Sequence, residues 1–78
     1  MRNREVAQLL ENIATLLEMK GENRFKIVAY EEAAHRIENW PEPIEEVWQK
    51  GKLKEIPGIG ESIASKIEEY LSTGKLSY

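Results

Sequence analysis

Apolar residues recur at intervals of three and four along most of the chain, the spacing of one face of an α-helix. The pattern predicts helices over residues 3–20 and 23–39, a short helix over about 44–50 and a last helix over about 61–72. We therefore predict an all-α domain of four short helices around one small core. The residues expected to be buried in it are Val6, Leu10, Ile13, Leu17, Tyr30, Ala33, Ile37, Val47, Ile56, Ile59, Ile63 and Ile67.

Residues suited to helix ends mark where these helices should begin and stop. Asn3 is expected to cap the first helix with its side chain, and Gly21 to end it in the left-handed conformation. Pro43 has the fixed φ that is favoured at the first position of a helix, so it is expected to open the third one. Gly51 and Gly74 are expected to end the third and fourth helices.

The segment before the last helix reads Ile56-Pro57-Gly58-Ile59-Gly60. Pro57 has no backbone N–H and cannot continue a helix, whereas the glycines permit positive φ and close approach of another molecule. A helix that starts just after Gly60 presents free N–H groups and a positive dipole end, which suit a phosphate oxygen. The simpler interpretation is a tight turn that binds no ligand. Glycines on both sides of one apolar residue favour the interpretation that the turn binds a ligand.

Length and composition limit the classes of protein that remain. The 78 residues allow one domain, and the absence of cysteine excludes disulfides and thiolate metal sites. The single histidine, His35, cannot form a histidine-rich metal site. No apolar run reaches membrane-spanning length and no signal-peptide pattern opens the chain, so we expect a cytoplasmic protein without a membrane partner.

The charge distribution singles out the region around the Pro-Gly segment. The net charge of −3 argues mildly against a nucleic-acid partner. Residues 1–49 carry six Arg or Lys and ten Glu, whereas residues 50–78 carry five Lys and four Glu. Lys50, Lys52 and Lys54 lie just before the Pro-Gly segment, so the positive excess gathers where a phosphate is expected.

On the second helix, Lys26 interrupts the apolar face and Tyr30 follows one turn later. Residues four apart on a helix point the same way, so ammonium and phenol could clamp an anion together. Alternatively, the stem of Lys26 covers the core while its ammonium reaches water. The residues alone leave both interpretations open.

Two motifs together resemble a known family. Residues 56–60, followed by Ile63-Ala64 and Lys66-Ile67, resemble a helix-hairpin-helix motif. Residues 23–34 and the Thr-Gly-Lys-Leu at 73–76 extend the likeness to the amino-terminal domain of the family X DNA polymerases, of the DNA polymerase beta type and its prokaryotic branch. The resemblance covers nearly the whole chain and implies a helix-hairpin-helix between the last two helices.

The resemblance implies a DNA-binding domain over residues 1–78, the amino-terminal fragment of a longer repair polymerase. Such a domain grips the sugar-phosphate backbone of gapped or nicked DNA with a 5′-phosphate, without sequence specificity, in base excision repair. We expect a nucleoid-associated protein, monomeric in isolation, with no tightly bound cofactor. The residues expected at the DNA backbone are Gly58, Gly60, Lys52, Lys54 and Ser62. The carbonyls expected to hold Na⁺ or K⁺ when DNA is bound belong to Lys54, Ile56 and Ile59.

The resemblance also implies a phosphate and lyase site. The 5′-phosphate groups of the family correspond to Lys26 and Tyr30, and the Schiff-base lysine of its 5′-deoxyribose-phosphate lyase corresponds to Lys66. We expect these three side chains to converge on one side of the domain. This sequence departs from the family at two positions, where a phosphate-binding lysine is Ser62 and a histidine is Phe25.

A different class of function fits the acidic first half of the chain. Helix-hairpin-helix domains also serve as protein-interaction modules with no DNA or catalytic role. A DNA-binding domain predicts an affinity that falls steeply with salt. An interaction module predicts little affinity for DNA and a patch of exposed apolar surface.

Overall fold

The computed structural model describes residues 1–75 and is all-helical over that range. It contains α1 (Asn3–Met19), α2 (Arg24–Glu38), α3 (Ile44–Gln49), a single-turn 3₁₀ helix (Leu53–Glu55) and α4 (Glu61–Thr73). No strand is present among these residues, so the all-α prediction of four helices is confirmed. The 3₁₀ turn was not predicted. Leu76, the last residue of the Thr-Gly-Lys-Leu motif, lies outside the described residues.

None of the helices within residues 1–75 is long and apolar enough to cross a membrane.

The helical hairpin of α1 and α2 forms one half of the fold, and its connection follows from local chemistry. Gly21 has φ of 71°, and its N–H donates to the Glu18 carbonyl at 3.0 Å, which ends α1 as predicted. The side chain of Asn23 then accepts the N–H of Phe25 at 2.7 Å and caps the start of α2. A few residues therefore reverse the chain and lay α2 against α1.

A single apolar core joins all four helices. Each of the twelve residues predicted to be buried is buried, and Ile27, Ile44, Leu53 and Leu71 join them. The buried face of α2 includes Ile27, whereas Ala29 is exposed. At 100° per residue Ala29 lies about a third of a turn from the mean direction of Ile27, Ala34 and Ile37.

Asn3 performs a different task from the predicted helix cap. The structure places the cap at Arg2, without a side-chain hydrogen bond, and buries Asn3 at 3% exposure. The Asn3 amide nitrogen lies within hydrogen-bond distance of three carbonyls, those of Ile37 (3.3 Å), Trp40 (3.4 Å) and Glu42 (2.9 Å). Its oxygen accepts the Ile44 N–H at 2.8 Å. Asn3 therefore pairs the carbonyls of Trp40 and Glu42 and the Ile44 N–H, which have no other partner in the described part of the chain. The Ile37 carbonyl also accepts the Trp40 N–H at 3.1 Å.

Pro43 also differs slightly from the prediction. It precedes the first residue of α3 rather than being that residue, with extended backbone (φ −60°, ψ 131°). Its carbonyl still accepts the N–H groups of Glu46 and Val47 and so opens the helix. Gly51 and Gly74 have φ of 70° and 77°, as expected for glycines that end helices.

Candidate nucleic-acid interface

The segment between the 3₁₀ helix and α4 is a tight hairpin with a buried side and an exposed side. Ile56 and Ile59 are 1% and 3% exposed, and the Ile59 N–H donates to the Ile56 carbonyl at 3.0 Å. Pro57, Gly58 and Gly60 are exposed. The isoleucines thus fix the hairpin to the core, as the sequence predicted, and the glycines form its outer surface.

The two glycines of the hairpin serve different purposes. Gly58 has φ of 86°, where a side chain would be strained. Gly60 has extended backbone (φ −86°, ψ −174°), so the conformation alone does not require glycine there. A Cβ built on Gly60 would meet no atom of the protein within 4 Å. The absence of a side chain at Gly60 therefore leaves space for another molecule to approach the backbone.

Unpaired backbone N–H groups gather on this surface. The N–H groups of Gly58, Gly60, Glu61 and Ser62 have no hydrogen-bond acceptor among the residues that the structure describes. The first bond that enters α4 runs from Ala64 N–H to the Gly60 carbonyl at 2.9 Å. Free donors at the positive end of a helix form a surface suited to an anion.

Of the two lysines predicted near this surface, Lys52 precedes the 3₁₀ turn and Lys54 lies within it. Lys54 lines a groove of about 250 Å³ together with Trp48, Glu61 and Ser65. Lys52 lines a separate groove of about 190 Å³ on the side of Trp40. Both lysines are exposed, and neither forms an ion pair within residues 1–75. Their charges are therefore available to a ligand at the hairpin.

The carbonyls expected to hold a monovalent cation are compatible with that role. Those of Lys54 and Ile59 accept no backbone hydrogen bond from the described part of the chain, whereas that of Ile56 accepts one from Ile59. A carbonyl oxygen has two lone pairs, so the Ile56 carbonyl can still be a ligand. Over the same residues, no group of three or more histidine, cysteine, aspartate or glutamate side chains is placed to hold a metal ion.

The structure places Lys26 and Tyr30 one turn apart on α2, in different surroundings. Lys26 is exposed in the first turn of α2. Tyr30 is buried at 2% exposure, as the core prediction required. A phosphate at this site would therefore meet the Lys26 ammonium directly, and Tyr30 only through its hydroxyl. Phe25, beside Lys26, is 85% exposed.

Lys66 lies in the middle of α4 and is half-buried, in keeping with a position at the border of the apolar face. Ile63 and Ile67 are buried on that face, and Ser62 is exposed one turn earlier. The hairpin residues are thus contiguous in space, and Lys26 and Tyr30 share a helix. That Lys66 converges with Lys26 and Tyr30 stays a prediction.

Polar contacts that sequence reasoning missed hold α4 against the rest of the domain. The Trp48 indole N–H donates to Glu68 at 3.3 Å and joins α3 to α4. The Tyr70 hydroxyl donates to Glu5, and the Arg2 guanidinium pairs with Glu5 at 3.0 Å while lying 5.3 Å from the centre of the Tyr70 ring. Trp48 and Glu68 are 20 residues apart in sequence, and Tyr70 and Glu5 are 65 apart, so no local pattern signals these two contacts.

The electrostatics of this contact follow from its hydrogen bonds. The bond from Arg2, and then that from Tyr70, lowers the pKa of Glu5. The hydrogen bond from the Tyr70 hydroxyl to Glu5 raises the pKa of Tyr70. A carboxylate with a lowered pKa stabilises the fold above its ordinary pKa, and this contribution is lost as the pH falls through the folded value. Because Glu5 is exposed, the contribution is small.

This arrangement of helices and hairpin defines a class of protein. The family model described as "Helix-hairpin-helix domain" matches residues 1–76, and the chain belongs to that family.

Two relatives refine the class. The chain is 35% identical over 77 residues to the DNA polymerase/3′-5′ exonuclease PolX of Bacillus subtilis (strain 168), covering 99% of this chain and 13% of that protein. It is 36% identical over 75 residues to the DNA polymerase lambda of Arabidopsis thaliana, covering 96% of this chain and 13% of that protein. The resemblance to the helix-hairpin-helix domain of family X DNA polymerases is therefore confirmed. The chain spans only a small part of the length of these relatives.

Proposed function

We propose that this domain binds the sugar-phosphate backbone of gapped or nicked DNA without sequence specificity, as part of a longer repair polymerase. The observation that carries the proposal is the exposed hairpin, where free N–H groups surround Gly60 and a Cβ on Gly60 would meet no protein atom. The relatives, both named as DNA polymerases, support DNA as the anion.

The physical basis of this binding is contact with phosphate oxygens. Backbone N–H groups and the positive end of α4 attract a phosphate, and Lys52 and Lys54 add charge beside it. Contacts to phosphate and sugar carry no sequence information, so a surface of this kind does not select a base sequence. When DNA is bound, Na⁺ or K⁺ held by the carbonyls of Lys54, Ile56 and Ile59 would add a positive charge between the hairpin and a phosphate.

The site at Lys26 is proposed to receive the 5′-phosphate of the gap. The Lys26→Ala variant should lose most of the preference for a 5′-phosphate over a 5′-hydroxyl, because a charge-assisted contact is roughly twice as strong as a neutral one. Fluorescence anisotropy on two gapped duplexes that differ only in that phosphate measures the preference. In contrast, Lys52→Ala should weaken binding to both duplexes alike. A preference that survives in Lys26→Ala would place the 5′-phosphate elsewhere.

Lys66 is proposed to carry a 5′-deoxyribose-phosphate lyase. Its neutral amine would attack the sugar aldehyde and release water to form a Schiff base, which borohydride reduces to a stable amine linkage. We expect Lys66→Ala and Lys66→Arg to abolish borohydride trapping of an abasic 5′-end. The arginine variant should retain the DNA affinity of the parent domain, because it keeps the charge. A parent domain that cannot be trapped would remove the lyase and leave Lys66 a contact to the backbone.

One observation favours a second function, a module for protein interaction. Large apolar side chains are exposed near the α1–α2 turn, with Met19 at 78%, Phe25 at 85% and Leu16 at 43%. Large exposed apolar side chains are what a site of protein contact would present. The two functions differ in their response to salt, since DNA binding weakens steeply as salt rises and apolar association does not.

A further inference from the structure

One acidic residue begins the helix at whose start the proposed function requires a phosphate. Glu61 is the first residue of α4 and follows Gly60 directly. It is exposed, and its carboxylate has no hydrogen bond or ion pair with the residues described here. It lines the same groove as Lys54 without pairing with it. A negative charge without a bonded partner therefore belongs to the first turn of α4, the helix whose start carries the free N–H groups.

This position has opposite consequences for folding and for DNA binding. An acidic side chain in the first turn stabilises a helix through the helix dipole. The same positive field is what a phosphate would use, and a carboxylate close to a phosphate repels it. The carboxylate of Glu61 thus interacts with the positive end of α4, with which a DNA phosphate would otherwise interact.

We propose that Glu61 is a built-in competitor of the DNA phosphate, which keeps the affinity of the hairpin for DNA low. This inference rests on the proposed function, and it names the residue that sets the strength of that binding. It also accounts for an acidic side chain in the groove that Lys54 lines, since an opposing charge there gives weaker binding to DNA than the lysines alone. The isolated domain then binds DNA weakly and depends on the rest of the polymerase to hold the gap.

The test is Glu61→Gln, which removes the charge and keeps the size of the side chain. At low salt we expect DNA to bind on the order of fivefold more tightly, and the gain to shrink as salt screens the charge. The melting temperature should fall by a few degrees, on the order of 2–5 °C, because the helix loses a favourable charge. A purely structural role for Glu61 would not raise the affinity for DNA. Glu61→Lys should strengthen binding further and steepen its salt dependence.

Glu11→Gln is the matched control, since Glu11 is exposed on α1. This substitution changes the net charge by the same amount as Glu61→Gln. Affinity that rises equally in both variants would show an effect of net charge and overturn the inference. An affinity of Glu61→Gln equal to that of the parent would also overturn it, while the proposed function would stand. If neither parent nor variant binds DNA, the proposed function fails and the inference fails with it. Binding by Glu61→Gln where the parent shows none would support both.

Discussion

Replacing Asn3 with alanine is expected to lower the free energy of unfolding by about 2–4 kcal/mol, the largest loss of stability for a single polar substitution in this domain. The variant leaves the Ile44 N–H and the carbonyls of Trp40 and Glu42 without partners inside the fold, whereas the Ile37 carbonyl keeps its bond from the Trp40 N–H. A buried polar group that loses its partner costs about 1–3 kcal/mol. In a domain of this size the loss corresponds to a fall in melting temperature of roughly 10–25 °C.

Thermal unfolding followed by circular dichroism measures this effect. Asn12→Ala is the control, because Asn12 is exposed and only accepts a hydrogen bond from Gln8. Asn3→Asp is a sharper variant, since it keeps an acceptor for the Ile44 N–H but turns a carboxylate oxygen towards the carbonyls of the connector. It should be at least as unstable as Asn3→Ala at neutral pH. Equal melting temperatures for Asn3→Ala and Asn12→Ala would contradict the role given to Asn3.

The second large effect is expected on DNA binding, in the variant Gly60→Val. Its side chain covers the free N–H groups, and hydrogen bonds to a charged group are worth about 1.5–3 kcal/mol, so the affinity should fall on the order of tenfold or more. The domain should stay folded, because the backbone of Gly60 is extended and a Cβ there meets no protein atom within 4 Å. The free energy of unfolding should fall by only about 1 kcal/mol, since valine caps a helix less well than glycine.

Gly58→Ala is the contrasting variant. Gly58 has positive φ, so alanine there should lower the melting temperature through backbone strain. Gapped DNA is titrated against both variants, and their melting curves are measured alongside. The two measurements distinguish a loss of access to the backbone, which lowers the affinity for DNA, from a loss of stability, which lowers the melting temperature. Gly60→Val that binds DNA as tightly as the parent would show that the hairpin is not the binding surface.

The fold was largely predictable from the sequence because its main signals are local. The spacing of apolar residues set the helices and the buried set, and Gly21, Gly51 and Gly74 marked three helix ends. The hairpin was equally visible, since Pro57 and Gly58 dictate the backbone whatever the rest of the chain does. Such features depend on residues within one turn of each other.

Contacts between residues distant in sequence could not be predicted. The sequence predicts a helix cap at Asn3, because asparagine is common in that role near the start of a helix. Only the packed structure brings the connector at residues 39–43 against it. Likewise, Tyr70 meets Glu5 because α4 packs near α1, which no spacing in the sequence reveals. In the candidate site, the burial of Tyr30 was predicted from the spacing of apolar residues, whereas the surroundings of Lys26 depend on packing and were left open.

The central claim, that the hairpin binds DNA through its backbone, is tested most directly by a salt titration of the 78-residue chain. Anisotropy of gapped duplexes of two unrelated sequences, each with a 5′-phosphate, is followed across a series of salt concentrations. The account predicts equal affinities for the two sequences and an affinity that falls steeply with salt, with a log–log slope of about −3 if three or four phosphates are contacted. No binding at low salt, or binding that is indifferent to salt or selective for one sequence, would contradict it.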